Sequence, residues 1–300
     1  MSTETMKIFV GCDPNNCDLE QMMVLDYSVH KHAKGPVEIV WMQLSHDPNS
    51  AWYSDQNTGA GWRTQKWATP FSGFRWAIPE FCDFQGRAIY MDADVIVLCD
   101  VAELWLHPIH GDAIVAAKGG NSSRLCTCVW DCEKARAQLP PLEKIRSDPD
   151  SHKKLMQLIK DAPQLIQPYE DSYNNVDGEN MPIEQIKILH YSDMGTQFSH
   201  KYSLPRLEAA GQKHWFDGKI MAHPRPDLAA LFDRYYQEAL DTGYRPEHYL
   251  VTPFGEFSKA TQLKYRGNKV TRPEKDKNFV ANGIKLLKEK FRSRKFSLDE

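Results

Sequence analysis

Short apolar runs alternate with stretches of helical spacing from the start of the chain. Lys7 to Val10 has the makeup of a buried strand and ends at Gly11-Cys12-Asp13-Pro14-Asn15-Asn16, a cluster of turn formers. Asp18 and Gln21 have capping-box spacing and precede a helix in which Met22, Leu25 and Val29 share one face. Val37 to Leu44 returns as a β-rich run, so the chain opens as strand, turn, helix, strand. The same pattern predicts strands at Ala113 to Ala117, Leu125 to Trp130, Gln164 to Gln167 and Ile186 to Tyr191. Helices are expected at Ser72 to Phe81, Asp100 to Trp105, Asp131 to Leu139, Leu142 to Lys160 and Asp227 to Leu240. Leu155, Leu158 and Ile159 supply the apolar face of the fourth of these, and Leu228, Leu231, Tyr235 and Ala239 that of the last. From Asp47 to Trp67 the pattern lapses into a polar, aromatic and glycine-bearing stretch that reads as a long loop and a candidate cover for a donor or an acceptor. The sum is an α/β fold with a mostly parallel central sheet over residues 1–255, followed by an extension over residues 256–300.

Composition narrows the class. Of 300 residues, 41% are hydrophobic and 26% charged, ordinary values for a globular chain able to bury a full core. No apolar run reaches the roughly 18 residues of a membrane span, and Met1-Ser2-Thr3-Glu4-Thr5 does not start like a signal peptide, so a cytoplasmic protein is expected. Seven scattered cysteines do not form a disulfide framework. Cys126, Cys128 and Cys132 cluster, but their spacing matches no paired zinc knuckle, and they read better as buried small hydrophobes. Charge is lopsided: residues 259–296 hold 13 Lys and Arg against 3 Asp and Glu, so this stretch carries +10 and the remainder −13 of a net −3. Within it Val280, Ile284, Leu287 and Phe291 form a helical stripe, with Lys285, Lys288 and Arg292 away from it. A basic amphipathic helix of this kind suits peripheral contact with an anionic membrane surface, or docking on the acidic body of the protein itself. Nucleic acid is not expected, because the acidic body opposes it.

The sharpest chemistry sits in Gly86 to Trp105. An apolar strand runs into Asp92-Ala93-Asp94 and a second apolar run follows at once, so two carboxylates stand where a buried strand surfaces. Two close carboxylates repel, and desolvating them costs several kcal/mol, which a hard divalent cation such as Mg²⁺ or Mn²⁺ would offset. His190, at the end of a later strand, is a candidate third ligand and would favour Mn²⁺; a packed histidine is the alternative. Asp13 stands at the carboxyl end of the first strand, where open α/β sheets bind ligands, and is equally a turn former before proline. Arg63, Lys66 and Arg75 are candidate cations for the same edge, or solvated surface charges.

Arg87-Ala88-Ile89-Tyr90-Met91-Asp92-Ala93-Asp94, followed by Asp100-Val101-Ala102-Glu103-Leu104-Trp105, resembles the Asp-x-Asp region of the retaining glycosyltransferases of family 8, relatives of glycogenin and the lipopolysaccharide galactosyltransferases. The resemblance spans roughly Lys7 to His223. It implies a GT-A fold, transfer of a hexose from a nucleotide sugar, UDP-sugar favoured, and Mn²⁺ (or Mg²⁺) held by Asp92, Asp94 and His190. It further implies donor contacts at Gly11, Cys12, Asp13 and Arg75, to which the reading of this edge adds Lys66, Asp92 and Ala93; the acceptor is a glycan, a lipid-linked molecule or a protein. Three departures stand out. Cys126-Thr127-Cys128 replaces the family's Asn-x-Gly, so the sugar does not carry over. The Lys-Pro-Trp after the metal histidine is missing, with Gln197 or Lys201 as stand-ins for the lysine. The Asp-Gln pair expected near His152 to Gln157 is absent, so no nucleophile is placed and front-face return of the acceptor is the expected route. A degenerate nucleotide-sugar binder without turnover is the main alternative; a metal-dependent nucleotidyltransferase or phosphohydrolase is a third reading.

Overall fold

A computed structural model describes residues 4–119, 124–216 and 218–256. The basic stripe from Val280 to Phe291 lies outside the described residues. In chain order the elements are β1 (Met6–Gly11), α1 (Leu19–His32), β2 (Val37–Met42), β3 (Ser54–Asp55), β4 (Ala60–Gly61), α2 (Ile78–Phe81), β5 (Arg87–Asp92), β6 (Val95–Val97), α3 (Ala102–Trp105), β7 (Val115–Lys118), β8 (Arg124–Asp131), α4 (Cys132–Ala135), α5 (Leu142–Ser147), α6 (Ser151–Asp161), β9 (Ile166–Tyr169), β10 (Asn175–Val176), β11 (Ile188–His190), α7 (His200–Ala209) and α8 (Pro226–Asp241).

Six strands form the central sheet in the order β2-β1-β5-β8-β7-β9. β1 pairs in parallel with β2 and β5, and β7 with β9, whereas β8 is antiparallel to both neighbours. The sheet is therefore mostly parallel, with β8 alone reversed. The middle residues of β5, Ala88 to Met91, are all fully buried, as expected of a strand covered on both faces. A smaller sheet, β10-β11-β6, continues from the end of β5, with β6 antiparallel to β11. Its core of Ile96, Leu189 and Tyr191 packs against Leu228, Leu231 and Phe232 of α8, which fixes the second sheet beside the first.

Four sequence expectations change. The capping box does not form: Asp18 makes no side-chain cap to α1, because its carboxylate accepts the Asp13 N–H instead. The helix expected at Ser72 to Phe81 is a 3₁₀ turn at Phe74–Trp76 followed by the single turn of α2, and the one expected at Leu142 to Lys160 is split at Asp148-Pro149-Asp150. Proline disfavours helical backbone in the residue before it, and Asp148 is accordingly extended at φ −101° and ψ 109°. The stretch from Asp47 to Trp67 is a packed structure rather than a cover. Trp62 and Trp67 are buried at 0% and 1% exposure, and Trp62 meets Phe74 edge to face at 4.8 Å. The β3–β4 turn is closed by Gly61 at φ +73°, where a Cβ would lie 2.1 Å from the Tyr53 carbonyl oxygen, so only glycine fits.

Candidate metal and donor site

The carboxyl ends of β1 and β5 lie side by side, with Gly11 opposite Asp92. Burial holds the Asp92 side chain in place through two neighbours. Its Oδ1 accepts from the Tyr90 hydroxyl and, at 3.2 Å, from Arg75 Nη2. Arg75 is itself buried, with Nε donating to the Ser72 carbonyl at 2.7 Å and its guanidinium carbon 4.4 Å from the centre of the Tyr90 ring. Burial pushes the Asp92 carboxyl above its ordinary value, an effect that Arg75 opposes and Asp94 reinforces.

The chain then turns into β6, and the pairing of Val95 with His190 brings β11 alongside. Tyr191 N–H donates to the Asp94 carbonyl at 3.1 Å, fixing this junction. His190 Nε2 lies 3.1 Å from Asp94 Oδ1 and 3.9 Å from Asp92 Oδ2. Burial disfavours the charged imidazole, but Cys126 and Asp94 beside it hold His190 well above its ordinary value. The other Asp94 oxygen accepts from Gln197 Nε2 at 3.1 Å, and Gln197 Oε1 accepts from Gln21 of α1 at 2.8 Å. A cavity of about 240 Å³ opens over this group, and its lining includes Asp18, Gln21, Asp92, Asp94, His190 and Gln197.

The structure thus brings together Asp92, Ala93, Asp94, His190 and Gln197, all lining this cavity. Gly11, Cys12 and Asp13 lie behind it rather than on its surface. A Cβ at Gly11 would come within 2.9 Å of the Phe71 ring, Cys12 is fully buried, and the Asp13 carboxylate accepts the N–H groups of Asn15 and Cys17 as a turn former. Asp18, itself buried, lines the cavity in their stead; burial, with the Asp13 carboxylate adding to it, pushes its carboxyl well above the ordinary range. Lys66 pairs with Asp150 at 2.6 Å and Lys201 with Asp233 at 2.7 Å, both exposed and neither on the cavity wall. Arg75 is turned to Asp92, and Arg63 is exposed with its N–H on the Arg146 carbonyl.

One residue expected to be a buried small hydrophobe, Cys126, is only partly buried and stands beside the acids, and a second, Asn174, was missed. Asp92, Cys126 and His190 each offer a ligand atom, and the three atoms lie within 4.8 Å of one another. Asn174, fully buried, contacts both His190 and Cys126. The signal for Cys126 existed only in strand direction: an antiparallel β8 delivers its start to the edge where β5 ends. Asn174 ends the 3₁₀ turn Asp171–Asn174, which has no periodic pattern, and nothing in the local sequence marks it. The residues fit a divalent cation by the chemistry of the set, two carboxylates, an imidazole and a thiol converging from three chain segments.

The chain matches no known protein-family model. Over 100 residues it is 35% identical to Protein CDI of Arabidopsis thaliana, a stretch that covers 33% of this chain and 35% of that protein. Among solved structures, the galactosyltransferase LgtC, determined in complex with donor and acceptor sugar analogues, is 14% identical; the likeness covers 81% of this chain and 99% of that one, at a TM-score of 0.50. The bifunctional glycosyltransferase WbbM is 12% identical over 80% of this chain and 52% of its own, at a TM-score of 0.47. GlyE of Streptococcus pneumoniae is 15% identical over 79% and 62%, at 0.48. The likeness to LgtC identifies the fold as GT-A.

Proposed function

We propose that this protein is a metal-dependent glycosyltransferase that moves a hexose from a nucleotide sugar, UDP-sugar favoured, to a hydroxyl acceptor with retention. The observation that carries this reading is the convergence of Asp92, Asp94 and His190 on one cavity at the carboxyl edge of a GT-A sheet. A divalent ion held by these residues would supply charge to diphosphate oxygens as they leave. The chain's own contribution is positioning. Tyr90 and Arg75 fix Asp92, and Gln21 through Gln197 fixes Asp94, so both carboxylates are held before a donor arrives. In the front-face route the bond from the anomeric carbon to the phosphate oxygen breaks as that carbon bonds to the acceptor oxygen, and the acceptor proton passes to the departing phosphate.

A second reading, a nucleotide-sugar binder without turnover, draws support from one feature: among the described residues, no lysine or arginine lines the cavity to meet a diphosphate. Cytoplasmic residence with surface contact through the tail remains part of the proposal; among the described residues no helix is long and apolar enough to cross a membrane. Incubation with Mn²⁺ and a panel of nucleotide sugars, with free nucleotide as the readout, separates the readings. Transfer predicts release that falls at least about 100-fold in Asp94→Asn, since the metal centre acts on the leaving group. Tight binding with no release under any acceptor supports the second reading. Appearance of sugar phosphate would overturn both in favour of phosphohydrolase chemistry.

A further inference from the structure

Cys126 stands in the metal centre for a reason written into the sheet. The last pair of the antiparallel β5–β8 ladder, Met91 with Thr127, lies one residue from Asp92 on one strand and from Cys126 on the other, so these two stand at the same edge. His190 arrives from the opposite side through its pairing with Val95. Asn174 ties the two together: its Nδ2 donates to Cys126 Sγ at 3.1 Å, and its Oδ1 lies 3.2 Å from His190 Nδ1. A side-chain amide has one donating and one accepting end. With the amide nitrogen on the sulfur, the amide oxygen accepts from His190 Nδ1–H, and Nε2 is left to face the oxygens of Asp94 and Asp92 at 3.1 and 3.9 Å. An imidazole lone pair facing two carboxylates is repulsive unless a proton or a metal ion lies between them. Donation of the remote ring N–H to a buried amide is the arrangement that orients metal-bound histidines, and an amide N–H on sulfur favours the thiolate form that ligates.

We propose that Cys126 is a ligand of this metal, making a mixed oxygen, nitrogen and sulfur centre that selects a borderline-soft divalent ion, Zn²⁺, Fe²⁺ or Co²⁺, over Mg²⁺. The inference rests on the metal centre of the proposed function and deepens it. With ligand bonds of roughly 2.0–2.3 Å, two ligands of one tetrahedral ion lie about 3.3–3.8 Å apart. The three candidate atoms, within 4.8 Å of one another, reach that spacing with shifts of up to about 1 Å, within the reach of side-chain torsions. Thiolate is a poor ligand for Mg²⁺, which demands oxygen, so its presence lowers affinity for that ion and raises it for the softer ones.

Cobalt reports sulfur ligation directly, without turnover. Full-length protein freed of metal with a chelator is titrated with Co²⁺ and the near-ultraviolet sulfur-to-cobalt charge-transfer band is recorded. The band should saturate at one Co²⁺ per chain, disappear in Cys126→Ser and persist in Cys128→Ser. Co²⁺ affinity should fall at least about tenfold in Cys126→Ser, and Mn²⁺ affinity by less than about threefold. If the serine variant does not fold, wild-type protein still decides: Zn²⁺ should abolish the band and slow alkylation of Cys126, read by peptide mass spectrometry, at least tenfold. Co²⁺ bound without the band, or a band that survives in folded Cys126→Ser, overturns the proposal. Nucleotide release without the band would leave the transferase reading intact and remove the sulfur; the band without release would do the reverse.

Discussion

At the scale of single residues, the site is made by a few side chains whose freedom burial has removed. Arg75 illustrates this. Resemblance assigned it to the donor, yet its donors meet the Ser72 carbonyl, the Tyr90 hydroxyl and Asp92, so its action on a ligand runs through Asp92. The same holds for Tyr90, whose hydroxyl bonds to Asp92 within a fully buried ring. Tyr90→Phe removes the hydroxyl and keeps the ring. It should weaken metal binding by about tenfold, the usual effect of losing a group that orients a ligand. Stability should fall by about 1 kcal/mol, near 2–4 °C in melting temperature for a chain of this size. Unchanged metal affinity in calorimetric titration, alongside the lower melting point, would show that Tyr90 supports only the fold. Asp92 and Asp94 were legible in the sequence because charge interrupts an apolar run, and His190 because it ends one. Cys126 was not, since a cysteine in a strand looks the same whether it faces the core or an ion.

At the scale of elements, the strands were readable because each is a short run of buried apolar residues, and their direction was what the pattern withheld. Nothing in Leu125 to Trp130 marks β8 as reversed, yet that reversal is what delivers Cys126 to Asp92. Helix ends were misjudged where proline acts on its neighbour, as at Asp148. The larger misreading is the stretch from Asp47 to Trp67, whose polar and glycine-rich surface hides aromatic residues that pack over long range. Trp52, Trp62 and Phe74 lie within 6.0 Å of one another by ring centre, and Trp67 meets both Trp62 and Phe74. A cover that opens would show itself in the Michaelis constant with little change in melting temperature. A packed segment behaves otherwise: Trp62→Ala should cost about 3–5 kcal/mol through the cavity it leaves, which lowers the melting temperature by roughly 6–20 °C. A shift below about 2 °C in differential scanning fluorimetry would restore the cover reading.

At the scale of the whole molecule, the segments on either side of α7 bring Met194, Gln197 and Trp215 to the cavity wall, and the packing around them carries its own pH dependence. His214 lies beside His200, with ring centres 5.0 Å apart, and its Nδ1 accepts the Phe216 N–H at 3.0 Å. Burial, with the charges of His200 and Arg206 adding to it, lowers His214 to about 3. Burial also lowers His200, whose Nε2 lies 2.7 Å from the Met194 carbonyl, a contact that pulls weakly the other way. Both imidazoles are therefore neutral in the folded protein near neutral pH. The unfolded chain binds their protons from about pH 6.5 downward and the folded one does not, so the unfolded state holds more protons in that window. Stability contributed by neutral His214 is fully present above about pH 6.5 and is lost as pH falls toward 3, at no more than about 1.4 kcal/mol per pH unit and less where solvent reaches the ring. Protonation of Nδ1 would also turn the Phe216 hydrogen bond into a clash of two donors. His214→Asn, whose Oδ1 is attached at the same Cγ as Nδ1 and which cannot titrate, should flatten this slope. Urea midpoints at pH 7.0, 5.5 and 4.5 provide the measurement: the wild type should lose more stability on acidification than the variant, and the gap should widen at each step. Parallel slopes would mean that His214 is already solvated and protonated, and that acid acts on this fold elsewhere.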